Sequence, residues 1–210
     1  MRNYYLDNHL FIVEKEAGRL TQEDGRSKHS LENDAKKFIK EKFQKPGRVF
    51  LHPVHRLDKP VSGLVIFARS SKALARLNEA QRERKIEKRY LALIEGKMPG
   101  EKGNLKNLIS HQSHRAHIGE GKEAELFYRV VKKKEGLQLV EIQLVTGRYH
   151  QIRAQLAEVG CPIVGDKKYG SRIKANRIYL HHYFVRFQHP VKDEEIEVKS
   201  DTDFTSVFEL

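Results

Sequence analysis

The stretch HPVHRLDKPVSGLVIFA, residues 52–68, sets one carboxylate, Asp58, among His52, His55, Arg56 and Lys59, just ahead of an apolar run. Opposite charges this close favour the ionised form of a carboxyl group. An ionised carboxylate that a ligand can reach is equipped to act as a nucleophile or as a base. The competing reading is a surface turn in which Asp58 caps the local backbone. Val65, Ile66 and Phe67 have the β-branched and aromatic character of a buried strand, and Pro60, Ser62 and Gly63 are turn formers leading into it. Asp58 is therefore expected on a loop at a strand entrance, where a rigid sheet holds a reactive group within reach of a ligand.

Two further constellations are basic. In residues 146–170, TGRYHQIRAQLAEVGCPIVGDKKYG, Gly147 and Arg148 turn the chain out of a strand. Tyr149 to Val159 then has helical spacing, with Ile152, Leu156 and Val159 on one face and Gly160 at its end. Arg148 and His150 fall at the helix start and Arg153 one turn in. A helix dipole disfavours cations there, so they require an acidic partner, which a carboxylate on another loop can supply. Upstream, Arg82, Arg84, Lys85, Lys88 and Arg89 crowd the end of a helix opened by Ser71 and the start of a strand from Tyr90 to Ile94. Those cations either complement the helix C-terminus or contact phosphate. By itself Tyr90 reads as a strand aromatic.

The remaining elements frame these groups. Leu10 to Val13 reads as a strand between turns. Ser30 to Phe43 reads as a helix capped by Ser30, with Leu31, Ala35, Phe38 and Ile39 on one face and lysines on the other. Residues 99–122 read as strands joined by long basic loops. His111, His114 and His117 would line up as metal ligands on a helix. No acidic or thiol ligand lies among them and Gly119 and Gly121 follow, so RNA-facing or plain surface histidines fit better. Ala124 to Val131 and Leu137 to Val145 read as strands meeting at Glu135-Gly136.

The 210 residues carry 40 Lys plus Arg against 28 Asp plus Glu, a formal charge of +12. The acidic tail from Lys192 hides a stronger imbalance, since residues 1–191 hold 38 basic and 21 acidic side chains, or +17. That excess points to a polyanionic partner, most often nucleic acid. A length of 210 residues without a low-complexity linker fits one domain over residues 1–210. The lone Cys161, set among Val159, Gly160, Pro162 and Ile163, excludes an intrachain disulfide and a cysteine zinc site and reads as a packed thiol in a reducing compartment. The opening MRNYYLDNHLFIVEK holds no long apolar run, so neither a signal peptide nor a membrane span is expected, and the protein is read as cytoplasmic.

Taken together, these stretches resemble the pseudouridine synthase family that modifies uridines in ribosomal and transfer RNA through an HRLD loop, and specifically its large-subunit branch. His55-Arg56-Leu57-Asp58 with Ser62-Gly63-Leu64 resembles the catalytic loop, and Lys88 to Gly96 (KRYLALIEG) the strand carrying the active-site tyrosine. Thr146-Gly147-Arg148, His150-Gln151-Ile152-Arg153 and Pro162-Ile163-Val164-Gly165-Asp166 with Tyr169-Gly170 resemble the third motif. DNHLFIVEKEAG and LHHYFVRFQHP extend the likeness to nearly the whole chain. The family often has Thr where this chain has Val61, and Lys-Pro-Ala-Gly where it has Lys15-Glu16-Ala17-Gly18. Nothing before Leu6 could form the appended RNA-binding domain of larger members, so RNA recognition is expected from the catalytic domain itself.

The resemblance implies an α+β fold, a mixed, mainly antiparallel central sheet flanked by helices and loops. It implies an RNA pseudouridine synthase acting on ribosomal RNA, transfer RNA or both; no metal or other cofactor is expected, and a monomer is expected, with the oligomeric state left open by the sequence. In that assignment Asp58 attacks the ribose or the uracil ring, Arg153 pairs with Asp58, and Tyr90 stacks on the base. Arg56 enters the gap left by the flipped nucleotide, and His55, Arg148, His150, Lys88 and Arg89 contact RNA. Two other classes compete: a non-catalytic RNA-binding module on the same fold, and a metal-dependent phosphodiesterase recruiting Asp193, Glu194, Glu195 and Glu197.

Overall fold

Residues 1–25, 27 and 29–204 are described by a computed structural model. In chain order the elements are β1 (Asn3–Leu6), β2 (Leu10–Lys15), α1 (Leu31–Lys42), β3 (His52–Pro53), β4 (Ser62–Ala68), α2 (Ser71–Arg82), β5 (Glu87–Glu95), β6 (Lys102–Gln112), β7 (Arg115–Ile118), β8 (Lys122–Lys134), β9 (Leu137–Leu144), α3 (Gln151–Glu158), β10 (Leu180–Gln188) and β11 (Glu195–Lys199). Among the described residues the fold is α+β, a mixed, mainly antiparallel sheet with three α-helices. The described residues group into two compact units, one drawn from 1–86 and 184–200 and the other from 87–183 and 201–204.

In the first unit β1 pairs with β2, β2 with β4, β3 with β4 and β10 with β11, all antiparallel. Every residue of β4 is buried, as expected of a strand covered on both faces. Strand alternation sends Leu10 and Ile12 into a cluster with Leu64, Ile66, Ala73 and Leu77, the last two from α2. It sends Phe11 to the opposite face, where its ring stacks on Phe38 of α1 at 5.5 Å. Both helices start as their sequences dictate: Ser30 Oγ accepts from the Asn33 amide at 3.3 Å and Ser70 Oγ from that of Ala73 at 3.2 Å.

In the second unit the strand order is β5-β9-β8-β6-β7, again antiparallel throughout. α3 packs on β6 and β7 through Ala154, against a small core of Ile109, Ala116, Ala124 and Tyr169. Gln155 fixes it further, its Nε2 donating to Asn107 Oδ1 at 2.8 Å and the Leu105 carbonyl at 3.1 Å.

Two expectations from spacing need correction. Residues 99–122 hold no long basic loops in this region: β6 runs almost directly into β7, through a turn in which Ser113 (φ 50°) and His114 (φ 60°) are both left-handed. The three histidines thus sit on a hairpin, where a helical ligand face cannot form. The third helix starts at Gln151 rather than Tyr149, because His150 is itself left-handed (φ 52°). Among the described residues no helix is long and apolar enough to cross a membrane.

Candidate active site

Asp58 lies where its neighbours predicted, on the loop that enters β4, and it is half-buried. The backbone on both sides of it is anchored by the segment after β2. Before it, Leu57 donates its amide to Thr21 Oγ1 at 3.2 Å and accepts the same hydroxyl's proton on its carbonyl at 3.0 Å. After it, the Lys59 carbonyl accepts from the Gly18 amide at 2.8 Å and from Lys15 Nζ at 3.1 Å. The Asp58 carbonyl closes its own turn by accepting from the Val61 amide at 3.0 Å. Gly63, at φ 122°, then takes the chain into β4 through a conformation that a side chain would strain.

Lys15 was passed over in the sequence, where the segment registered mainly as a departure from the family pattern at Glu16. Its side chain is fully buried, with Nζ also donating to the carbonyls of Glu16 at 3.1 Å and Arg19 at 2.8 Å. Burial pushes its ammonium down to about 7, while attraction to the Asp58 carboxylate works in the other direction. The signal for its role was a lysine ending a strand that opens with the apolar run Leu10–Val13, a residue type that is buried only when its charge is compensated. Beside Asp58, His55 Nε2 accepts from the Ile66 amide at 3.3 Å. Arg56 is exposed.

In the second unit Arg153 is buried on α3, and Asp166 holds it in a two-pronged ion pair: Nε to Oδ2 at 2.6 Å and Nη2 to Oδ1 at 2.9 Å. The acidic partner that the sequence required near this helix start is therefore present within the unit, thirteen residues downstream. Residues 166–170 had been quoted as part of the third motif without a role for the carboxylate. The Arg153 guanidinium also lies over the Tyr169 ring at 5.0 Å, and the Tyr169 hydroxyl meets His150 Nδ1 at 2.9 Å and accepts from the Ala116 amide at 2.8 Å. His150 is buried. Desolvation first, and the Arg153 and Lys168 charges next, push its imidazole down to about 3, so it is neutral near pH 7. Arg148 is exposed, and its Nε donates to the Glu123 carbonyl at 3.0 Å.

Tyr90, 6% exposed, stacks on the buried His182 ring at 4.6 Å and 22°. Strand alternation puts Lys88 on the same face of β5, and burial lowers its ammonium to about 8. Arg89 points the other way and is engaged by Glu87, Nε to Oε1 at 2.6 Å. Asp58, Arg56 and His55 thus share one unit, and Tyr90, Lys88, Arg89, Arg148, His150 and Arg153 the other.

Residues 9–158 match the family model described as RNA pseudouridylate synthase. A Bacillus subtilis (strain 168) protein named uncharacterized RNA pseudouridine synthase YhcT is 38% identical over 200 residues, covering 90% of this chain and 65% of that protein. The chain thus spans just under two thirds of that relative's length. The dual-specificity RNA pseudouridine synthase RluA of Haemophilus influenzae is 31% identical over 209 residues, covering 95% of this chain and 92% of that one. Among solved structures, the human RNA pseudouridylate synthase domain containing 4 has the same fold, with a TM-score of 0.82 at 20% identity over 98% of this chain and 90% of that one. With its HRLD loop, its β5 tyrosine and its α3 arginine inside or beside the matched span, the chain belongs to the RNA pseudouridylate synthase family.

Proposed function

We propose that this chain converts uridine to pseudouridine in RNA as a single catalytic domain over residues 1–210. The Asp58 carboxylate attacks either the ribose or the uracil ring, the N1–C1′ bond breaks, the base turns over, C5 bonds to C1′, the bond to Asp58 breaks again to free the carboxylate, and C5 loses its proton as N1 gains one. Tyr90 stacks on the uracil, Arg153 serves the reacting carboxylate, and Arg56 takes the place of the flipped nucleotide in the RNA stack. Arg148, Lys88 and Arg89 are assigned to RNA contact, as are His55 and His150, the latter as a neutral rather than a cationic group.

The observation that carries this reading is the anchoring of Asp58. A half-buried carboxylate has the backbone on both sides of it held by Thr21, Gly18 and Lys15, in a chain of this family. A surface turn needs no such support, whereas an attacking group must be held in its productive geometry. The RNA classes proposed are ribosomal and transfer RNA, and a relative named dual-specificity fits a family member with more than one RNA target. The +17 charge of residues 1–191 suits either.

The test is to incubate unmodified ribosomal and transfer RNA transcripts with the protein in chelator, digest them and quantify pseudouridine by chromatography. Pseudouridine in either RNA supports the reading. Tight binding with none in either would favour the binding module, and chain cleavage that chelator abolishes would favour the phosphodiesterase.

A further inference from the structure

We propose that the tip of the β6–β7 hairpin is a base-stacking platform, with the His111 ring taking an unpaired nucleotide of the RNA that lies outside the reacting position. This deepens the RNA-modifying reading above and rests on it. The first observation is a series of rings that runs outward from the arginine of the third motif. Tyr169 lies under Arg153, His150 meets Tyr169 edge-on at 5.6 Å, Tyr149 stacks on His150 at 3.9 Å, and His111 closes on Tyr149 at 4.1 Å. The inner rings, Tyr169 and His150, are buried, while Tyr149 and His111 are exposed. A column of contacting rings, stacked between Tyr149 and His150, tilted at His111 and edge-on at Tyr169, ends on a ring in solvent, which another planar ring can extend, and every nucleobase has one.

The second observation is that the tip is held in place against its own conformational preference. Ser113, His114 and His150 are three non-glycine residues in the left-handed region, which persist only where the surroundings impose them and which concentrate at functional sites. The surroundings here are specific. The Tyr149 hydroxyl donates to the His114 carbonyl at 3.3 Å, Lys168 Nζ donates to that same carbonyl, and the Ala116 amide is bound by Tyr169. All of these anchoring side chains come from the segments on either side of α3, so the exposed end of the column is rigidly tied to the helix that carries Arg153.

The third observation is charge. Arg115 and Lys168 are exposed at the same tip, Arg148 is exposed at the start of the motif that carries Tyr149 and His150, and cations beside an aromatic platform fit a phosphodiester chain carrying unstacked bases. The platform would add a recognition contact to the flipped-out uridine and select RNAs whose target lies in a loop with another unpaired base.

The test uses an RNA transcript that the wild type binds, with single abasic nucleotides placed in turn at the unpaired positions around the target. Kd, kcat and KM are measured for wild type, His111→Ala and His111→Phe. Base–aromatic stacking of roughly 1 kcal/mol at its weaker end is worth about fivefold. The wild type should therefore lose about fivefold or more in Kd and KM at one abasic position, with kcat at saturation unchanged. His111→Ala should show the same loss on intact RNA and no further loss at that position, and His111→Phe should restore both. Because Kd is read in the same matrix, the platform is tested even where no turnover occurs, and absent turnover counts against the proposed reaction instead. A His111→Ala protein that binds within twofold of wild type, or abasic penalties that add to it at every position, overturns the proposal.

Discussion

Replacing Asp166 by Ala should destabilise the protein sharply, because it removes the two-pronged carboxylate contact of a buried guanidinium. The two side chains of the Arg153–Asp166 pair are 5% and 1% exposed and joined through two short contacts. Removing one member of a buried pair costs about 3–5 kcal/mol. For a chain of this length each kcal/mol moves the melting midpoint by about 2–4 °C, which gives a fall of about 6–20 °C. Circular dichroism melts at 222 nm, backed by urea midpoints, would measure it. The companion is the double change Arg153→Met with Asp166→Leu, which removes both charges; replacing a buried pair with apolar groups is often neutral or stabilising, so this protein should melt within about 4–8 °C of wild type. It should nevertheless be inactive, because Arg153 is then gone from the chemistry. An Asp166→Ala melt within about 4 °C of wild type, or a double variant no more stable than the single, would refute the reasoning.

Two further predictions follow from groups held away from their ordinary protonation, and a third from the stacking of Tyr90. Burial puts the Lys15 ammonium at about 7 against 10.5 for an exposed lysine. Between those values the unfolded chain binds a proton that the folded one does not, so the contribution of this group to stability rises with pH from 7 to 10.5. Lys15→Met should therefore shallow the rise in urea midpoint between pH 7 and 9.5, and an unchanged slope would count against the burial argument. His150 and His181 are pushed down to about 3 and about 4, mainly by desolvation, so the unfolded chain takes up protons first as pH falls below 6.5. Stability should fall from pH 6.5 to 4.5, and exchanging either residue for Gln should flatten that limb in midpoints measured across the range. For Tyr90, stacked on His182, loss of the ring should matter far more than loss of its hydroxyl. Single-turnover rates should drop much further in Tyr90→Ala than in Tyr90→Phe, and small, equal effects would leave it a packing residue.

What could be read from the sequence was whatever local chemistry decides. The Ser30 cap, the helical spacing of Leu31, Ala35 and Ile39, and the turn formers ahead of Val65 each specify their own segment, and each is found as expected. The basic loop around Asp58 was legible for the same reason. The misses depend on partners distant in sequence or on backbone geometry that side-chain type does not announce. Asp166 entered only as part of a motif, beside Lys167 and Lys168, and only the packing of α3 against the turn after it turns that carboxylate inward. Lys15 is buried because three carbonyls, one of them at Lys59, converge on its ammonium, a fact no spacing encodes. Ser113-His114 lacks the Asn-Gly pattern that advertises a two-residue hairpin turn, so long loops were expected where contacts from Tyr149, Lys168 and Tyr169 impose a tight one.

The central claim is that Asp58 is the reacting carboxylate of a uridine isomerisation in which C5 gives up its hydrogen. The most direct measurement is release of tritium from C5-labelled uridine in unmodified ribosomal and transfer RNA, with wild type and Asp58→Asn compared at equal RNA occupancy in chelator. The account predicts release by the wild type from at least one of the two RNAs and none by Asp58→Asn, which should bind that RNA nearly as well. Equal release by both proteins would remove Asp58 from the chemistry.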